Sequence, residues 1–159
     1  MATRKRTWTE KLADSKDLPK VFAIHPSKAK RWGSGTMLIP APVEVDAMMR
    51  QVPFGRLTTI DEIRRALASR HGATIGCPIT TGIFAWIAAH AATEGEGHRT
   101  HPATPYWRTL KAKGEINPKY PGGIESLKAK LTEEGHCVIQ KGKRFFVKDF
   151  SERLFAPQG

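Results

Sequence analysis

Negative charge is what this chain lacks most. Its 159 residues carry 26 Lys and Arg against 15 Asp and Glu, giving a formal net charge of +11 and a pI near 10.0. Such a field attracts polyanions and speeds their encounter with the protein. Nucleic acid is the commonest partner of this kind, although ribosomal and membrane-surface proteins share the charge. Cysteine is scarce as well. Cys77 and Cys137 stand far apart, which excludes a disulfide framework and a metal-finger spacing, so both are expected as reduced thiols. Long apolar runs are missing: nothing approaches the ~20 residues that span a bilayer, and the first residues lack the apolar core of a signal peptide. A cytoplasmic, nucleoid-associated protein with no membrane partner is therefore expected. With 40% hydrophobic residues, the chain is long enough for one compact domain plus an extension.

Residues 1–36 are rich in Lys and Arg and poor in apolar periodicity, with Arg4-Lys5-Arg6 near one end and Lys28-Ala29-Lys30-Arg31-Trp32-Gly33 near the other. They read as a basic N-terminal arm holding a short helix from Thr9 to Ser15. Like-charge runs favour a solvated tail, whereas Trp8 and Trp32 favour docking on the domain or stacking on bases. The ordered domain is expected over 37–150, with a C-terminal tail at 151–159. Val45, Met48 and Met49 mark a helix stopped by Pro53 and Gly55. Thr58 or Thr59 is expected to cap a second helix, with Glu62 three residues after Thr59 completing a capping box, and the helix is striped by Ile60, Ile63 and Leu67 and ended by His71-Gly72. Thr80 or Thr81 is expected to cap a third helix running through Ile83, Phe84, Trp86, Ile87, Ala88 and His90, apolar on most of its circumference. Residues 93–104 read as a polar loop, 106–110 as extended, 122–134 as a helix, and 137–147 as two strands joined by Lys141-Gly142-Lys143. The fold class is thus mainly α with a small β-hairpin, in a winged-helix-like DNA-binding arrangement. One helix would enter a groove while Lys141, Lys143 and Arg144 grip phosphate.

Two further segments, Thr104-Pro105-Tyr106-Trp107-Arg108 and Lys119-Tyr120-Pro121-Gly122-Gly123-Ile124, carry a resemblance. They are similar to the Pro-Cys-His-Arg box and the Tyr-Ser-Gly-Gly-Leu loop of the O6-alkylguanine-DNA alkyltransferases, the methylated-DNA-cysteine methyltransferase family. In that family the box supplies the thiol that takes an alkyl group from a flipped guanine, and the loop lines the base pocket. Val52-Pro53-Phe54-Gly55-Arg56-Leu57-Thr58-Thr59 resembles the family's Ile-Pro-Tyr-Gly-Arg-Val-Val-Thr, Asp61 to Leu67 continues it, and Glu134-Gly135 matches the Glu-Gly that closes its last helix. The similarity spans roughly residues 43 to 135. Tyr106 falls on the acceptor cysteine and Trp107 on its activating histidine, so the chain resembles the alkyltransferase-like proteins, whose acceptor is also replaced. Other departures follow. Ile79 stands where the family inserts an arginine finger into the base stack, Ile60 where a tyrosine rotates the target phosphate, and Pro121 where a serine lines the pocket. The Asn-Pro hinge is replaced by the 93–104 loop.

The resemblance implies recognition of DNA rather than reversal of damage. Tyr106, Trp107 and Tyr120, with Pro121 and Gly122, are expected to form a base pocket, with core packing the competing role and more so for Trp107 than for the tyrosines. Arg56, Thr80, Thr81, Lys111 and Lys113 join the hairpin cations as candidate DNA contacts, and Arg108 is expected to brace the pocket or touch phosphate. Alkyl transfer needs a thiolate. Cys77, just before the third helix, is the substitute nucleophile, and Cys137 reads as core. Glu125 and Glu134 are the candidate acid or base of an excision enzyme, with Glu134 more suited to pairing with a neighbour. His90, His98 and His101 with Glu94 and Glu96 match no familiar ligand spacing, so neither metal nor cofactor is expected. The expectation is a monomeric, non-enzymatic protein that binds double-stranded, lesion-containing DNA and works with repair proteins. The alternatives are a repair enzyme acting by base excision or transfer to Cys77, and a winged-helix adaptor for nucleic acid or protein.

Overall fold

In the computed structural model, residues 5–94 and 103–158 are described. In chain order the regular elements are α1 (Trp8–Ala13), β1 (Lys20–Ala23), α2 (Ala29–Trp32), β2 (Thr36–Ile39), α3 (Pro42–Arg50), β3 (Thr58–Thr59), α4 (Ile60–Arg70), β4 (Ile75–Gly76), α5 (Pro78–Thr93), β5 (Thr109–Leu110), α6 (Gly123–Glu133), β6 (Val138–Lys141) and β7 (Arg144–Val147). The fold is mainly α with small sheets and one antiparallel hairpin, as the periodicities predict.

Helix α5 organises the interior. Ala85, Ala88, Ala89 and Ala92 recur at helical spacing and are buried, and these small side chains let α3 approach closely with Val45, Met48 and Met49. Helix α4 adds Ile63 and Leu67 from another side, and Leu127 and Leu131 of α6 close the same core. The cap of α4 is the predicted one: the Thr59 hydroxyl accepts the Glu62 N–H at 3.2 Å. The cap of α5 is not. Cys77 holds that position and Pro78 begins the helix, where a missing N–H costs nothing. Thr80 and Thr81 therefore lie inside the first turn, and the Thr81 hydroxyl donates to the Cys77 carbonyl at 2.6 Å.

Strand pairing supplies what periodicity does not. β1 runs antiparallel to β2, from Lys20 opposite Ile39 to Ala23 opposite Thr36, and β2 runs parallel to β4, with Met37 opposite Ile75. β3 and β5 pair in parallel, Thr58 opposite Thr109, so the segment after the Pro105–Arg108 box is tied to the N-terminus of α4. β6 and β7 form the expected hairpin. The N-terminal segment is more than a solvated tail. Trp8 lies on α5, with its ring stacked at 4.5 Å on His90 and edge-on at 4.7 Å to Trp86, and Glu94 accepts the Trp8 and Thr9 N–H groups. The last residues are packed as well: the Leu57 N–H donates to Arg153, the Phe155 N–H donates to Leu57, and Gln158 is bonded to Gln51. Cys137 corrects its expectation, since it is exposed rather than core.

Candidate nucleic-acid interface

The Pro105–Arg108 box folds as a single 3-10 turn, Tyr106–Arg108, and its polar groups converge on one carboxylate. Glu134, 7% exposed, accepts the Trp107 indole N–H at 2.6 Å, the Gly55 N–H at 3.0 Å and the Arg108 guanidinium at 2.9 Å. Arg108 uses a further N–H on the Val52 carbonyl at 2.9 Å. Burial pushes the Glu134 carboxyl up, but the hydrogen bonds from Arg108, Gly55 and Trp107, with the Arg108 charge, outweigh it and hold the group below its ordinary value. Neighbouring His136 is held below its ordinary value, chiefly by burial. Glu134 is thus a structural brace, as its pairing role foresees. Arg108 takes the bracing half of its expectation, because its guanidinium is committed to Glu134 and Val52 rather than offered to phosphate.

The aromatic pocket is corrected. Tyr106 and Tyr120 are 5% and 4% exposed and belong to the hydrophobic core, with ring centroids 6.1 Å apart and perpendicular. Burial alone raises the Tyr120 phenol well above its usual range. Rings buried this deeply offer no open face to a base. Trp107, the member of the expected pocket with core packing as its stronger competing role, lies farther out, half-buried with the Lys130 ammonium 4.7 Å above its ring. Its indole N–H requires a partner, and Glu134 fixes it at the edge. Pro121 is half-buried and Gly122 caps α6 at φ +88, where an added Cβ would meet the Ser126 side chain at 2.5 Å. Gly122 therefore serves the turn and close packing, not an open pocket.

An opening of about 560 Å³ lies against Arg50, Pro105, Trp107 and Arg108, and a further one lies alongside. A surface cleft of about 770 Å³ is lined by Ile60, Ile79, Ile83, Trp86, Lys111 and Lys119, among others, and by neither tyrosine. Ile79 and Ile83, one helical turn apart on α5, are 53% and 46% exposed. A helix whose alanines are buried and whose Phe84, Trp86 and Ile87 are half-buried thus leaves two isoleucines bare at its N-terminal half. Deeper along the same stripe, Trp86 donates its indole N–H to the Lys119 carbonyl at 3.2 Å, and His90 Nε2 contacts the same oxygen at 3.2 Å. These contacts fix the loop that presents Lys119 at the rim.

Of the remaining candidates, Lys111, Lys113, Lys141, Lys143 and Arg144 are exposed. Lys111 lines the cleft, and both Lys111 and Arg144 reach Glu115 only at 4.0 Å, leaving their charges largely available. Arg56 is corrected: its guanidinium donates to the carbonyls of Arg153 and Leu154 at 3.0 and 2.7 Å and clamps the C-terminal segment. Thr81 is 1% exposed and the Thr80 hydroxyl is buried without a protein partner, so neither is a surface contact. Cys77 is buried at the α5 cap, which withdraws it as a nucleophile, and Glu125 is exposed on α6 apart from the cleft lining. His98, His101 and Glu96 lie outside the described residues; His90 is packed against Trp8, and among the described residues no group of three or more His, Cys, Asp or Glu could hold a metal.

Sequence reasoning missed Ile83, Trp86, Asn117 and Lys119 as cleft residues. The available signal was the continuity of Ile79, Ile83, Trp86 and His90 along one stripe of a helix already apolar on its opposite side. No family model matches the chain, and no curated protein matches it. Two solved structures share its fold: S. pombe Atl1 in complex with damaged DNA containing O6-carboxymethylguanine, at 20% identity, and S. pombe ATL in complex with DNA, at 19%. In each case the similarity covers 73% of this chain and 94% of the other, with a TM-score of 0.51. The chain therefore has the fold of an alkyltransferase-like protein.

Proposed function

We propose that the protein binds duplex DNA without altering it chemically, presenting the N-terminal half of α5 to a groove and the adjoining cleft to an altered, unstacked base. The carrying observation is the pair Ile79 and Ile83, bare inside a cleft whose rim holds Lys111 and Lys119. Apolar side chains can wedge between base steps where a cationic finger is absent, and lysines neutralise the phosphates on either side. Trp86 adds an aromatic wall, and stacking a base on such a ring is worth roughly 1–3 kcal/mol. A seat of this kind holds a base but does not convert it, since Cys77 is buried and Glu134 is fully engaged. The DNA bound by the S. pombe neighbours supports this reading at the level of fold. Held on the protein, a damaged site would be marked for repair proteins, and the hairpin bearing Lys141, Lys143 and Arg144 would grip the backbone as a wing.

Anisotropy titrations of O6-alkylguanine and undamaged duplexes over a salt series test the proposal. Tighter binding to the lesion, with a steep salt dependence, is the expected result; absence of duplex binding overturns it. The burial of Tyr106 and Tyr120 favours one second reading, lesion-blind groove binding by a winged-helix-like adaptor, for which both duplexes would bind equally.

A further inference from the structure

We infer that the β1–β2 hairpin with its helical tip is a second DNA-backbone contact, which lengthens the footprint beyond α5. This rests on the DNA-binding reading above. The tip, residues 24–35, carries Lys28, Lys30 and Arg31, all exposed, and no Asp or Glu occurs between Asp17 and Glu44. Among the described residues, none of these three cations forms an ion pair. Concentrating positive charge without an internal counter-ion opposes compact folding, and an external polyanion relieves it.

The tip is also held in place, which a merely solvated charge run would not require. At its base Thr36 and Thr74 are cross-bonded, the Thr36 N–H to the Thr74 hydroxyl at 3.0 Å and the Thr74 N–H to the Thr36 carbonyl at 3.1 Å. Gly35 lies against Thr74 so closely that a Cβ there would fall 2.3 Å from the Thr74 hydroxyl. Within the tip the Arg31 guanidinium lies 4.4 Å from the Trp32 ring centre, which limits its freedom.

The sheet then relates the tip to α5. β4 runs into the α5 cap, where the Cys77 N–H donates to Leu38 of β2 at 2.8 Å. β4 spans only Ile75–Gly76, so the base of the tip at Thr36 and Thr74 stands three residues of extended chain, about 10 Å, from that cap.

The test compares wild type with Lys28→Ala/Lys30→Ala/Arg31→Ala on duplexes of ~10 and ~20 base pairs between 50 and 200 mM salt, with hydroxyl-radical footprinting of both proteins. Wild type is expected to bind the longer duplex more tightly and to protect backbone on one flank that the variant leaves open. The variant should lose that gain, and its salt slope should flatten by about 2.7, so that its disadvantage shrinks about 40-fold across the salt range. Unchanged slope and footprint, with wild-type DNA binding intact, overturn this inference and leave the parent reading standing. Failure of wild type to bind either duplex overturns both.

Discussion

The box around Glu134 and the cleft beside α5 are neighbours built on opposite physical terms. In the box every strong polar group has a committed partner: one buried carboxylate takes an indole N–H, a backbone N–H and a guanidinium, and two tyrosines fill the space behind. In the cleft two isoleucines stand in solvent between lysines with little to pair them. A site whose groups satisfy each other stabilises the fold, while one that leaves apolar surface and cations unmet is suited to a ligand. The residues most similar to a reactive centre therefore serve stability here, and in the proposed function the binding role falls to residues that depart from that pattern.

The sharpest way to break this contrast is to remove Glu134. Glu134→Ala leaves the buried Arg108 charge unpaired and should cost about 3–5 kcal/mol in urea unfolding; a cost under about 1 kcal/mol would mean the box is not a brace. The same carboxylate sets an acid limb. Because its folded pKa lies below the ordinary 4.5, its stabilisation is complete above that value and disappears as pH falls through the folded pKa. His136, held below 6.5, contributes in the same direction at higher pH, losing its share as the imidazole is forced to protonate. Stability measured downward from pH 7 should therefore decline in two stages, with Glu134→Gln removing the lower one. Next in size, Ile79→Glu with Ile83→Glu should weaken DNA binding at least tenfold, about 1.4 kcal/mol, while thermal unfolding moves little; unchanged affinity would remove the cleft from the interface. Smaller still, Lys141→Ala with Lys143→Ala should lower the salt slope by about 2 and weaken all duplexes alike. Cys77→Ala should change neither binding nor mass-spectrometric labelling by alkylated DNA, and covalent adducts on wild-type Cys77 would reopen the transfer reaction.

Much of the helical frame was legible because its signals are local. The Thr59 cap, the α3 and α6 stripes and the Lys141–Lys143 turn depend on residues a few positions apart. The β1–β2–β4 sheet was not legible, because all four residues of β1 are exposed and show no alternation, and its pairing with β2 and β4 is set by tertiary contacts. The α5 cap went to Cys77 rather than to a threonine because Pro78 fixes where the helix can begin. The box was legible as a motif but not in its burial pattern. Spacing revealed that Tyr106, Trp107 and Arg108 stand together, yet which ring faces inward depends on Glu134, far along the chain, claiming the Trp107 indole. Tyr120→Ala, which a base pocket would make a lesion-specific defect, becomes a core truncation with a cost of about 3–5 kcal/mol.

The perch of Trp8 on α5 has a practical corollary. Its indole roofs the inner end of a stripe whose outer end is left uncovered, along a helix about 24 Å long. Clipping the first dozen residues would bare Trp86 next to Ile83 and turn a confined greasy notch into a continuous oily seam, so trimmed preparations should clump more readily than the intact chain.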